Sequence, residues 1–176
     1  MEHANDDLRS ELAKLLPRLR RFGFALAGNM GDADDLTQAA VERVLTKADQ
    51  WIAGSRLDSW MYRIMQNLWI DRRRSAAARY EVGGEDVTSA AHGFGERETL
   101  ARIQLRQTRD CIARLPEEQR AVLILVGVEG MSYREASETL NVPQGTVMSR
   151  LSRARNALIQ MLDERPGAMS KEGQKP

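Results

Sequence analysis

The apolar positions of this chain recur at intervals of three and four, the spacing that lines up side chains on one face of an α-helix. Leu8, Leu12, Leu15, Leu16, Leu19 and Phe22 draw the first stripe, within a helix over 8–26 that Pro17 is placed to kink or restart. Ala27-Gly28-Asn29-Met30-Gly31 breaks it. Asp32 is then placed to cap a second helix running to about Ala48, with Leu36, Ala40, Val44 and Leu45 inward. Residues 51–58, WIAGSRLD, read as a loop around Gly54 and Ser55, and 59 to about 74 is helical again, burying Met61, Ile64, Met65 and Leu68. The stretch 81–95, EVGGEDVTSAAHGFG, is rich in Gly and small polar residues, has no period, and reads as a linker. Helix resumes near Glu96 and continues to Arg114. No segment alternates as a strand does.

From Leu115 to Leu158 the pattern is helix, helix, turn, helix. Pro116 suits the first position of a helix, and Val122, Leu125 and Val126 follow at core spacing. Gly130 separates this helix from the next, where Ser132 and Glu135 have the spacing of a reciprocal cap and a short helix runs from Tyr133 to about Leu140. Asn141-Val142-Pro143 makes the turn. In the last helix Val147, Leu151, Ala154 and Leu158 form the inward stripe, leaving Gln144, Met148, Ser149, Ser152, Arg153 and Asn156 outward and Arg150 and Arg155 at the flanks. A basic polar face on the last helix of such a unit fits the DNA major groove. Any compact helix pair can imitate the plan, and Arg on a polar face is also ordinary solvated surface.

Residue order narrows the choice. Gly145-Thr146-Val147-Met148-Ser149-Arg150-Leu151-Ser152-Arg153-Ala154-Arg155 resembles the recognition helix of bacterial RNA polymerase sigma factors of the extracytoplasmic-function (ECF) group, and Leu115 to Arg120 resembles the start of their −35-binding domain. Asp32-Ala33-Asp34-Asp35-Leu36-Thr37-Gln38 resembles the acidic signature that grips the polymerase clamp helices, and Ser59 to Arg74 resembles the helix that reads and opens the −10 element. The resemblance spans about 12–79 and 100–162. It implies an all-α fold of two small helical domains joined by a flexible linker, the C-terminal one a helix-turn-helix: 1–80 for polymerase and the −10 element, 81–98 the linker, 99–165 for the −35 element, and 166–176 a disordered tail.

Composition agrees with this plan. Of 176 residues 42% are hydrophobic and 29% charged, and the net charge is only +1. Acid gathers at Asp32, Asp34, Asp35 and Glu42 while base gathers at Arg72 to Arg79 and Arg150 to Arg155, a segregation that suits one basic and one polyanionic partner. The single cysteine, Cys111, excludes an intrachain disulfide and reads as a small core residue. The N-terminus is acidic where a secretion signal is basic and then apolar, and no apolar run approaches the ~20 residues of a membrane span. A cytoplasmic protein without membrane insertion is expected.

Candidate residues follow. Asp34, Asp35, Gln38 and Glu42 share a helix; their spacing fits a partner's basic helix and equally a helix start collecting carboxylates against its dipole, and the resemblance favours docking. All the tryptophans, Trp51, Trp60 and Trp69, flank or occupy the −10 unit. Trp60 reads as core, whereas Trp51 and Trp69 suit either core or stacking on an extruded base. The resemblance places the 51–59 loop and Asn67 at that base, with Arg63, Arg72, Arg73 and Arg74 on phosphates. For the −35 element the groove-facing set is Ser149, Arg150 and Arg153, with Gln144 and Thr146 near the helix start. Met148 departs from the Lys or Arg frequent there in the family.

Three functions compete. A promoter-specificity subunit needs core RNA polymerase, promoter DNA and, by resemblance, an anti-sigma factor, with no cofactor and no catalysis of its own. A free-standing regulator with an N-terminal sensor needs neither the acidic segment nor the Trp/Arg-rich helix. A nucleic-acid enzyme holding metal on Asp32, Asp34 and Asp35 lacks a second acidic or His cluster.

Overall fold

The computed structural model describes residues 2–52, 54–80 and 100–164. Within them every regular element is helical, with no strand. The first half holds α1 (Glu2–Ala27), α2 (Met30–Leu45), a 3-10 turn (Ala48–Gln50) and α3 (Leu57–Tyr80). The second holds α4 (Leu100–Arg114), α5 (Glu117–Val122), a π-helical segment (Leu123–Val128), α6 (Tyr133–Leu140) and α7 (Gln144–Asp163).

α1 buries Leu8, Leu12, Leu15, Leu19, Phe22 and Leu26. Pro17 neither restarts nor ends it. The carbonyl that Pro17 leaves without a donor belongs to Ala13, which is exposed to water, and buried leucines hold the helix on both sides of it. Leu16 falls off the stripe and is 39% exposed. Gly28, at φ +80°, closes α1, and Asn29 rather than Asp32 caps α2, its side-chain oxygen accepting the Asp32 amide at 2.9 Å. α2 lies close across α1 because Gly23 has no side chain: a Cβ there would stand 2.8 Å from the Ala33 carbonyl oxygen. It ends at Leu45, short of Ala48, and Leu45 is 38% exposed because the buried positions Ala33, Leu36, Ala40 and Val44 turn it outward.

α3 starts two residues before Ser59 and runs past Arg74 to Tyr80. Ala76, Ala77 and Ala78, strong helix formers, extend it beyond the apolar stripe that ends with Leu68. In the second half Pro116 stands just before α5, at its cap. The amide of Glu129 donates to the carbonyl of Ile124, five residues back, as the π-helical segment closes. Ser132 and Glu135 form the reciprocal cap on α6, Asn141 adopts the left-handed conformation (φ 53°), and α7 buries Val147, Leu151 and Ala154 with Leu158 partly covered. Cys111 is buried. The linker, the start of a helix near Glu96 and the 166–176 tail lie outside the described residues.

One hydrophobic core runs through both halves. α1 packs on α5 and the π-helical segment, and α3 packs on α6. Arg120, only 8% exposed, fastens the junction. Its Nε donates to the Ala25 carbonyl at 2.8 Å and Nη2 to Leu26 at 3.1 Å, while Nη1 donates to Ala113 at 2.8 Å and Leu115 at 2.7 Å. The unpaired carbonyl ends of α1 and α4 thus share one cation.

Candidate functional site

The acidic helix divides its carboxylates. Asp34 is gripped in a fork by Arg20 of α1 at 2.6 and 2.9 Å, and Asp32 accepts from the side-chain amide of Asn29 at 2.7 Å. Asp35 is exposed, and among the described residues no side chain pairs with its carboxylate. Gln38 donates to Glu42 at 2.9 Å. Between α1 and α2 lies a groove lined by Leu16, Val41 and Thr37 with Asp34, Gln38 and Glu42 along it. Its floor is apolar, and its margin carries the Arg20–Asp34 pair beside Gln38 and Glu42.

On α3 Arg63, Asn67 and the whole run from Asp71 to Ala78, which holds Arg72 to Arg74, are exposed. Arg63, Asn67 and Arg74 fall at i, i+4 and i+11, on one face. Arg72 donates to the backbone carbonyl of Asp35 at 3.2 Å, and Arg73 reaches Glu117 of the second half at 3.1 Å. Trp51, Trp60 and Trp69 are all partly buried against the core, and the indole nitrogens of Trp51 and Trp69 are enclosed without an acceptor. Beside Trp51, a cavity bounded by Asp7, Lys14, Gly54 and Leu57 opens between the loop and α1.

A charge cluster that the sequence did not announce joins the halves. The Glu129 side chain is 1% exposed and accepts from Arg18 at 2.5 Å, from Arg21 at 2.9 Å and from the Tyr62 hydroxyl at 3.0 Å. Arg18 also reaches Asp58 at 3.4 Å, Asp58 pairs with Arg56, and Arg56 bonds Glu135 of α6. Burial and the adjacent Glu129 charge push the Tyr62 phenol well above the usual tyrosine range. Burial alone would raise the Asp58 carboxyl; Arg56, the Ser59 amide and Arg18 together bring it below the ordinary value.

On α7, Gln144, Met148, Ser149, Ser152, Arg153 and Asn156 face solvent. Thr146 is half-buried, and its carbonyl accepts from the Ser149 hydroxyl at 3.1 Å. Arg153 donates to that same hydroxyl oxygen at 3.3 Å. Arg150 departs from the expected groove-facing set: its side chain is 20% exposed and turns to Glu118 of α5 at 2.7 Å. Neighbouring glutamates of α5 therefore hold one arginine from α3 and one from α7.

These helices match two family models, Sigma2 domain of PhyR over residues 12–66 and Sigma-70, region 4 over 105–158. Over 157 residues the chain is 35% identical to the ECF RNA polymerase sigma factor EcfG of Rhodopseudomonas palustris, a match covering 89% of this chain and 86% of that one. The chain belongs to the ECF RNA polymerase sigma factors. It is also 33% identical over 149 residues to the sigma factor SigW of Bacillus subtilis, covering 79% of this chain and 80% of the relative. Its fold matches the sigma factor RpoE of Bartonella quintana, whose structure is a complex with the anti-sigma factor NepR, with a TM-score of 0.76 at 30% identity over 91% of this chain and 99% of that one. As in the sequence reading, this ECF sigma factor is a promoter-recognising protein of two helical units, the second a helix-turn-helix. No helix among the described residues is long and apolar enough to cross a membrane.

Proposed function

We propose that this ECF sigma factor joins core RNA polymerase through the Asp35 face of α2, opens the −10 element with the 51–58 loop and α3, and reads the −35 element with the outward face of α7. Residues 1–80 act as the polymerase and −10 unit and 99–165 as the −35 unit, joined by 81–98 and followed by the 166–176 tail. The observation that carries this is the unpartnered, exposed Asp35 carboxylate beside an apolar groove, on the same chain as a helix-turn-helix whose last helix presents Arg153 to solvent. Asn67 and Arg63 stand on one exposed face of α3, as base capture and phosphate holding require. The protein works in the cytoplasm and contributes specificity rather than catalysis. Likeness to a neighbour seen with the anti-sigma factor NepR supports an anti-sigma factor as a further partner. The sensor-regulator reading gives way because the sigma2 match occupies residues 12–66, the half a sensor would need.

Reconstituted transcription tests the proposal. Core polymerase with this chain on genomic DNA is expected to start at sites sharing two upstream elements, and a start profile identical to that of core alone would overturn it.

A further inference from the structure

The outward face of α7 carries one large apolar side chain near its start. Met148 is 54% exposed, amid Gln144, Ser149, Ser152 and Arg153. Gly145 lies one turn before it, and a Cβ built at Gly145 meets nothing within 4 Å. Long helical side chains lean toward the N-terminus, so Met148 extends between Gln144 and Gly145, and the Gly145 side is open. Ser149 and Ser152 are short, and their neighbourhood lets the helix backbone come near a surface. The N-terminal part of a recognition helix is the part that meets base edges.

We infer that Met148 is a specificity-determining residue that reads the C5-methyl group of a thymine in the −35 element, an inference that rests on the proposed role of α7. The chemistry of the groove decides the partner. Every other feature that a base presents in the major groove is a hydrogen-bond donor or acceptor, and the thymine methyl is the apolar one. The thioether chain has no donor and only a weak acceptor, so it satisfies none of the polar edges. Its unbranched, polarizable chain adapts to a methyl presented at varying depth. With Arg150 turned to Glu118, Met148 and Arg153 stand on the two flanks of the exposed face, one apolar and one cationic. They divide the reading between a methyl and a guanine edge.

The test replaces each thymine of the −35 element, on either strand and one at a time, by deoxyuridine, which removes the methyl and nothing else. Holoenzyme binding is measured for the parent, Met148→Ala and Met148→Leu. In the parent, one such replacement is expected to weaken binding about fourfold, the worth of one buried methyl group. Met148→Ala should bind the unmodified element more weakly and be indifferent to deoxyuridine at that position, and Met148→Leu should restore the sensitivity. Met148 occupies an exposed helical position where Ala is well tolerated, so the variants fold. Equal deoxyuridine losses in parent and Met148→Ala, or no sensitive thymine in the parent, would overturn the inference while leaving α7 as the −35 reader. Binding indifferent to replacement of the whole −35 element would remove the role of α7 and the inference with it.

Discussion

The Glu129 carboxylate accepts a hydrogen bond from Nε of Arg21 at 2.9 Å across 108 residues of sequence. With Arg18 and Tyr62 it makes the charged centre of the contact between the two halves. Glu129→Gln keeps the shape and removes the charge. Its arginine partners are 32% and 45% exposed and regain water, so the expected loss is that of charge-assisted hydrogen bonds, about 1.5–3 kcal/mol in denaturant unfolding. Distances between spin labels on α2 and α7 should broaden in the variant. An unchanged midpoint with an unchanged distance distribution would remove Glu129 from the contact.

Arg120 supplies the neutral-backbone counterpart of that contact. Arg120→Ala leaves the carbonyls of Ala25, Leu26, Ala113 and Leu115 without this donor, and each buried acceptor left unsatisfied costs about 1–3 kcal/mol. Thermal unfolding should show a loss of roughly 3 kcal/mol or more. Arg120→Lys, with one point donor in place of a fork, should recover only part of it. Full stability in Arg120→Lys would mean that a single carbonyl carries the effect.

For polymerase binding the free carboxylate should matter more than the paired one. Asp34 is already compensated by Arg20, so Asp35→Lys is expected to weaken competition for core polymerase about tenfold or more and Asp34→Asn by less. Circular dichroism should stay at the parent value for both. Equal effects of the two substitutions would transfer the assignment to the helix as a whole.

Strand opening should depend on Asn67. Its amide is exposed on α3, and loss of the hydrogen bonds to an extruded base, about 1.5 kcal/mol, predicts about tenfold less permanganate reactivity at unpaired thymines in Asn67→Ala, with the closed complex retained. Unchanged reactivity would make Asn67 an ordinary surface residue.

Two carboxylates and a phenol give the stability a pH signature. Glu135 is held below the ordinary value by the Ser132 amide and hydroxyl and then by Arg56, and Asp58 is also depressed. Depressed carboxylates stabilise the fold above their unfolded pKa, about 4, and that contribution is lost as pH falls through the folded values. Tyr62 is raised, so its contribution is complete below about pH 10 and lost as pH rises beyond it. Unfolding midpoints across pH should therefore fall at both ends, with a shallower acid limb in Glu135→Gln and a shallower alkaline limb in Tyr62→Phe. Superimposable limbs in parent and variants would refute these roles.

The parts legible in the sequence are those that local rules settle. Ser132 and Glu135 announce the start of α6, Asn141 and Pro143 its end, and the Val147, Leu151, Ala154 stripe the orientation of α7. Local rules favour Asp32 as the cap of α2, but Gly28 at positive φ lets α2 start at Met30, and Asn29 caps it instead. The run Leu123–Val128 is apolar on every face, so periodicity cannot separate π-helical from α-helical winding. Nothing in the spacing of Arg18, Arg21 and Tyr62 reveals that they converge on Glu129, because that pairing is made by packing between halves. The periodicity of α7 sets Arg150 at the flank, within reach of the groove; Glu118, from another helix, draws it aside.

The adjacent glutamates of α5 bear on how promoter binding responds to ionic strength. Glu117 holds Arg73 and Glu118 holds Arg150, so two arginines assigned to DNA are already in ion pairs before DNA arrives. In the proposed complex, an arginine that leaves its glutamate for DNA frees condensed cations from the duplex but uncovers a carboxylate that gathers cations of its own. The slope of log affinity against log salt will therefore undercount the phosphate contacts, and substituting Glu117 and Glu118 by Gln will steepen it.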